Sequence, residues 1–297
     1  MSKITTLLFI AISIFSFAQN SELKKEIKQI IKHKNATVAV SVLNLENNQS
    51  ININGNKKLP MLSVFKFHIA LAVLDLFDQG KLSLDQNIFI KKAELLENTY
   101  SPFRNEFPDG NVAKTLRELL QYMVSKSDNN ITDVLINLIG GTETVQNYIN
   151  LKGIKNFHIE ADEAKMHEGW ENLYLNKSST NSLNDALQKL YHGKLLSKAS
   201  TDFLMQTMLE TTTGANKLVS QLPKYIPVAH RTGSSGKNDN GLTAAENDIG
   251  IVILPDGTHY AISVLISDSM ESEETNTKII ADISKTVFDY FSKKQME

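Results

Sequence analysis

Apolar and polar positions along the chain change period several times, and each change marks a different kind of element. Leu23, Ile27, Ile30 and Ile31 recur at helical spacing behind Ser21, which predicts a capped amphipathic helix over about 21–34. Over 36–45 the period drops to two, with Val38, Val40 and Val42 on one face, and after the Asn47-Asn48 turn Ile51 and Ile53 continue it. That pattern predicts a β-hairpin, closed by Pro60. The stretch 63–79 is apolar nearly all round and Gly80 follows it in the place of an αL cap, which predicts a buried helix. Helical spacing then dominates, with helices expected over about 114–125, 131–139, 142–150, 180–192 and 197–208, and an irregular loop over 160–179. Strand patterns return at 225–231, 244–254 and 259–267, the last two joined by a Pro255-Asp256-Gly257 turn, and an amphipathic helix is expected over about 272–293.

Two strands near the start and three near the end predict one five-stranded antiparallel sheet built from both termini and flanked by helices. The fold class is α+β, an α/β sandwich with an all-helical insertion. The expected division is a leader at 1–18, an α/β domain from 19–62 and 209–297, and a helical domain at 63–208, with the active site between the two domains.

Lys3 followed by the apolar run Ile4 to Phe17 and the small residues Ser16 and Ala18 reads as a secretory signal cut after Ala18. A membrane anchor is the competing reading, but the run falls short of the roughly 20 residues a spanning helix needs. Cleavage would leave 279 of the 297 residues, exported to a periplasmic or extracellular space without a stable membrane anchor. The balance of 31 basic against 33 acidic side chains gives no field that tracks a phosphate backbone, so nucleic acid is not an expected partner. There is no cysteine, and the seven histidines form no ligand pair at metal-binding spacing; no metal or other cofactor is expected. A monomer is expected.

Lys66 is the one permanently charged residue between Leu59 and Leu74, and burying an ammonium needs a reason. Ser63 lies three residues earlier, on the same helix face and in the N-terminal turn, where free N–H groups favour developing negative charge. This is a way to make a serine hydroxyl nucleophilic. The spacing alone identifies nothing, because Ser-x-x-Lys also occurs at Ser21/Lys24 and Ser234/Lys237. If the charge is there for chemistry, Lys66→Met should stop acylation while leaving melting neutral or improved.

Ser127-Asp128-Asn129 and Arg231-Thr232-Gly233-Ser234 each occur once, in this order behind Ser63-x-x-Lys66. Together they resemble the Ser-x-x-Lys, Ser-Asp-Asn and Lys-Thr-Gly elements of class A β-lactamases and penicillin-binding proteins, and the likeness covers the whole mature chain. Glu163-Ala164-Lys165-Met166-His167 resembles the class A omega-loop pattern, which aligns Glu163 with the deacylation glutamate and argues for turnover rather than a persistent acyl-enzyme. The resemblance implies that Ser63 attacks the lactam carbonyl and that Lys66, or Glu163 through a water, takes its proton. It also implies an oxyanion hole from the backbone N–H groups of Ser63 and Ser234, and a proton relay through Ser127. Asn129 would hold the substrate amide, and Arg231, Thr232 and Ser234 its carboxylate.

Departures from the pattern matter as well. His167 stands where most class A enzymes have Asn, Ala161 where many have Arg, and Asn176 near the place of that Arg's Asp partner, so the usual loop salt bridge is missing. This combination, with Thr243-Ala244-Ala245-Glu246-Asn247-Asp248, resembles the PER/VEB-like extended-spectrum branch and implies room for oxyimino-cephalosporins. An imidazole at 167 must then help hold the hydrolytic water. Arg231 replaces the family's common Lys. Lys217 is either a second cation at the carboxylate site or a solvated surface lysine, and Tyr100 is a candidate wall of the cleft. His68 reads as a satisfied core histidine. The competing functions are a DD-peptidase and a catalytically dead penicilloyl-binding sensor.

Overall fold

A computed structural model describes residues 21–293, so the leader and its cleavage site lie outside the described residues. The main sheet has five antiparallel strands: β1 (Thr37–Asn44), β2 (Ser50–Ile53), β3 (Val228–Ser234), β4 (Thr243–Ile253) and β5 (His259–Ser269), in the order β2-β1-β5-β4-β3. The strand count and the antiparallel sense match the expectation, and β3 begins three residues later than its pattern suggested.

Each face of the sheet builds its own core, and the period-two pattern decides which side chain goes where. Val38, Val40 and Val42 of β1 and Ile262, Val264 and Ile266 of β5 pack with Leu23 and Ile27 of helix α1 (21–30) and with Ile279, Ile280, Ile283 and Val287 of the C-terminal helix. Ala39 and Leu265 face the other way, into the larger core formed with the helical body. At its centre runs α2 (Phe65–Asp78), whose first ten residues are all buried. Around it lie α3 (Leu116–Val124), α4 (Asn129–Leu138), α5 (Thr142–Leu151), the short α6 (Glu163–His167), α7 (Thr180–Tyr191) and α8 (Lys198–Leu209); α9 (Glu273–Lys293) is the C-terminal helix.

Two small pairings escaped the sequence pattern. Asn87–Ile90 pairs with Val112–Thr115, and the two-residue strands Leu59–Pro60, Phe157–His158 and Lys177–Ser178 form a three-stranded patch. Segments of two to four residues carry too few alternations to read. The segment 160–179 is also less irregular than expected, since it holds α6 and a 3-10 turn at Trp170–Tyr174. Asn176 replaces the missing loop salt bridge with hydrogen bonds, three of them to backbone groups. Its Oδ1 accepts from the Glu160 and Ala161 N–H groups, both at 2.9 Å, and its Nδ2 donates to the Ala161 carbonyl at 2.7 Å.

Candidate active site

The edge strand β3 and the N-terminus of α2 meet closely. Met61 to Val64 turn into α2, and a Cβ on Gly233 of β3 would stand 2.5 Å from the Met61 carbonyl oxygen and 3.1 Å from the Ser63 nitrogen, so only glycine fits. Asn247 on the neighbouring strand β4 pins the same turn: its Nδ2 donates to the carbonyls of Pro60 (2.9 Å) and Met61 (3.0 Å). Leu62 and Ser127 both hold a left-handed backbone, at φ 45 and 62, which costs a non-glycine residue about 1–3 kcal/mol. Ser127 reaches this geometry in the tight connection between α3 and α4, where the Asp128 side chain caps α4 through the Ile131 N–H (2.9 Å). Asp128 also accepts from Ser101 Oγ and the Phe103 N–H, fixing the 100–103 segment against α4.

These supports gather four predicted residues around one ammonium. Lys66 Nζ donates to Ser63 Oγ (2.7 Å), Asn129 Oδ1 (2.5 Å) and the Ser127 carbonyl (3.2 Å), and pairs with Glu163 Oε1 at 2.7 Å. The lysine is 0% exposed and Glu163 4%. Burial lowers the Lys66 pKa from 10.5 to about 8, against the opposing pull of Glu163 and with a further push from Arg231. A neutral amine beside a serine hydroxyl is a proton acceptor, so the geometry supports general-base chemistry at Ser63.

Glu163 reaches Lys66 from the first turn of α6, and that turn is held from outside the loop. Asp133 on α4 accepts from the backbone N–H groups of Glu163 (2.7 Å) and Ala164 (2.9 Å). Burial raises its pKa to about 7, although those two hydrogen bonds pull the other way. Both ring nitrogens of His167, at the end of α6, are engaged within the protein. Its Nδ1 meets the Glu163 carbonyl at 2.7 Å and its Nε2 meets Thr99 Oγ1 at 3.2 Å, while Asn129 Nδ2 donates to the same Thr99 oxygen at 2.7 Å. The carbonyl can only accept, so Nδ1 carries hydrogen in this arrangement.

A cavity of about 300 Å³ opens above this centre, lined by Ser63, Ser127 and Asn129 at one end and by Lys217, Thr232 and Ser234 at the other. Tyr100, 55% exposed, forms part of its wall. Lys217 is not a solvated surface lysine: it is buried, donates to Ser234 Oγ at 2.9 Å and pairs with Glu246 at 2.5 Å. Arg231 stands differently from the expectation. It is 0% exposed and absent from the cavity lining, and its Nη2 donates to Ser127 Oγ at 2.7 Å from behind. Burial lowers its pKa to about 10. His68 is in the core against Phe157, but neither ring nitrogen has a hydrogen-bond partner among the described residues, and burial lowers its pKa to about 3. It is a core histidine without the expected satisfaction.

Sequence reasoning missed Thr99, Asp133 and Glu246. Asp133 follows Asn129 by four residues and so shares its helix face, a spacing that could have drawn attention to it. Glu246 was visible as a charge in the middle of an otherwise strand-like run. Thr99 left no signal. Among the described residues, no three His, Cys, Asp or Glu side chains are grouped so as to hold a metal ion.

A family model described as the beta-lactamase enzyme family matches residues 22–291, the stretch that contains every residue of this cavity. The chain belongs to the β-lactamase enzyme family. Among curated relatives, the beta-lactamase VEB-1 of Pseudomonas aeruginosa is 44% identical over 283 residues, covering 95% of this chain and 94% of that one. The extended-spectrum beta-lactamase PER-1 of the same organism is 40% identical and covers 98% and 94%. The crystal structure of the TLA-1 extended-spectrum beta-lactamase superposes with a TM-score of 0.90 at 48% identity, over 92% of this chain and 99% of that one. The fold is therefore the β-lactamase/transpeptidase-like fold, and this β-lactamase is a class A member with an extended-spectrum group among its relatives.

Proposed function

We propose that this class A β-lactamase hydrolyses the lactam amide of penicillins and cephalosporins through an acyl-enzyme on Ser63, thereby conferring resistance, and that it accepts oxyimino-cephalosporins, a reading supported by its likeness to relatives named as extended-spectrum enzymes. The observation that carries the reading is the buried ammonium of Lys66 bridging Ser63 Oγ and Glu163 at 2.7 Å each. With its pKa near 8, roughly a tenth of Lys66 is neutral at pH 7 and able to take the serine proton. Ser63 Oγ then bonds to the lactam carbonyl carbon, the C–N bond breaks, and Ser127 gives its proton to the leaving nitrogen and regains one from Lys66, which returns to the neutral amine.

In the second half, Glu163 takes a proton from water, which attacks the ester carbonyl carbon, and as the ester C–O bond breaks that proton returns to Ser63 Oγ, leaving Glu163 ionised again. The backbone N–H groups of Ser63 and Ser234 receive the oxyanion. Asn129 holds the substrate amide, and Thr232, Ser234 and Lys217 receive the substrate carboxylate, with Arg231 acting on Ser127 from behind. The helical segment 63–208 and the sheet domain, 19–62 with 209–297, form the two walls of this cleft. The leader is removed after Ala18 and the mature chain acts as an exported monomer. No helix among the described residues is long and apolar enough to cross a membrane.

Nitrocefin turnover by the mature protein, with intact-mass spectrometry after benzylpenicillin, tests the scheme. The parent should turn over without accumulating an adduct, Ser63→Ala should form none, and Glu163→Gln should stall as a covalent adduct on Ser63. A parent that stays acylated would make it a peptidase-like penicillin binder. An adduct on Ser127 or Ser234 in Ser63→Ala would remove Ser63 as nucleophile.

A further inference from the structure

The end of the cavity proposed to receive an anion already contains one. Glu246 of β4 pairs across the ladder with Ser234 of β3, lines the cavity and is 4% exposed. Its Oε1 accepts a hydrogen bond from Ser234 Oγ at 2.7 Å and pairs with Lys217 Nζ at 2.5 Å. Among the described residues, Lys217 is the one cation lining this cavity, since Arg231 is turned toward Ser127. A second carboxylate, the exposed Glu273 of α9, lines the same cavity. The hydroxyl and the ammonium best placed to hold a ligand carboxylate are thus both engaged by the protein's own.

We propose that Glu246 is a specificity-determining residue: its carboxylate occupies the anion cradle of Lys217 and Ser234 in the free enzyme, and a substrate's carboxylate gains the cradle only by displacing it. The proposal rests on the reading of this cavity as a β-lactam site, and it concerns binding alone, with no bond made or broken. Two carboxylates cannot share one ammonium at contact distance without strong repulsion. A ligand that carries its anion here therefore binds more weakly than the donors alone would allow. A ligand without that anion meets no competitor.

Glu246→Gln keeps the shape and an oxygen for Ser234 while removing the charge. The measurement is kcat/KM for benzylpenicillin and for its methyl ester, in the parent, Glu246→Gln and the charge-keeping Glu246→Asp. The acid-to-ester ratio should rise about tenfold or more in Glu246→Gln, equivalent to about 1.4 kcal/mol, and stay near the parent value in Glu246→Asp. Sulfate titrated by calorimetry is a probe that needs no turnover, and Glu246→Gln should bind it about tenfold more tightly than the parent. A ratio that stays flat or falls, or sulfate bound no better, overturns the proposal and makes Glu246 a support for Lys217. Tighter sulfate binding in a protein that opens neither the acid nor the ester would instead overturn the reaction and leave the cradle standing.

Discussion

Replacing Lys66 by Met separates two views of the buried ammonium, and the structure reverses the expectation drawn from the helix pattern. Lowering the pKa from 10.5 to about 8 means that the protonated lysine costs the fold about 3 kcal/mol at pH 7 relative to the unfolded chain. The sign follows from linkage: between pH 8 and 10.5 the unfolded state binds the proton and the folded state does not, so stability rises with pH across that window. The methionine side chain removes this cost. It also strands Glu163, 4% exposed, without its cation, and breaking a buried pair by deleting one partner costs about 3–5 kcal/mol. Asn129 Oδ1 loses its donor as well, for about 1 kcal/mol or more.

The losses exceed the gain by about 2 kcal/mol, which for a chain of this size lowers the melting temperature by about 3–4 °C at pH 7. Lys66→Met/Glu163→Gln removes the stranded charge and should melt at or above the parent, so the double-mutant cycle gives a coupling of the sign expected for a pair. Thermal melts of the parent, both single variants and the double variant at pH 7 and 9.5 supply all the values needed, and only the proteins that keep Lys66 should gain stability at the higher pH from this lysine. Lys66→Met that melts with the parent, and a double variant no more stable than the single one, would refute the argument. Both variants should lose acylation by orders of magnitude.

The supports around this pair carry two further predictions. Arg231 touches Ser127 and not the cavity, so Arg231→Ala should lower kcat by about 100-fold with KM little changed, while Arg231→Lys stays within about tenfold; a change confined to KM would return the guanidinium to the substrate carboxylate. Asp133 carries a proton below about pH 7 and then accepts less well from the Glu163 and Ala164 N–H groups. Single-turnover deacylation should therefore fall as pH drops from 8 to 6, and Asp133→Asn should be slow and flat across that range. An unaltered acidic limb in Asp133→Asn would assign that limb elsewhere.

What could be read in the sequence was whatever chemistry lies within a few residues along the chain. Ser63 and Lys66 share a helix turn, Ser127 and Asn129 flank one cap, and Arg231 to Ser234 follow one strand, so each group announces itself locally. The five strands were legible because β1 alternates over eight residues, while β4 and β5 are eleven-residue runs joined by a Pro255-Asp256-Gly257 turn and contain β-branched and apolar stretches. Thr99, Asp133 and Glu246 act through partners 12–68 residues away, and their contacts exist only once a loop, a helix face and a strand register have been set. The register matters most for Glu246: a slip of one residue in the β3–β4 ladder would carry it to the other face of the sheet. Arg231 shows the opposite failure, since its motif was plain and its direction was not.

Among the described residues, two lysines buried at or beside the cavity are each matched by an internal carboxylate at contact distance, Lys66 by Glu163 and Lys217 by Glu246. This pairing stabilises the free protein, because an unpaired buried ion is far costlier than a paired one. Chemistry at either end requires the pair to loosen. At the serine end the pair must lose a proton before Lys66 can accept one, and at the far end the ammonium must exchange one carboxylate for another. The resting arrangement is therefore most stable where activity needs it to yield, and variants that weaken a pair from the carboxylate side should lose stability while gaining in the step that pair restrains. The two ends differ in their consequences. Removing the Glu163 charge also removes the base for water, whereas removing the Glu246 charge takes away only a competitor, so Glu246 is the position where stability and activity can be traded without losing the reaction.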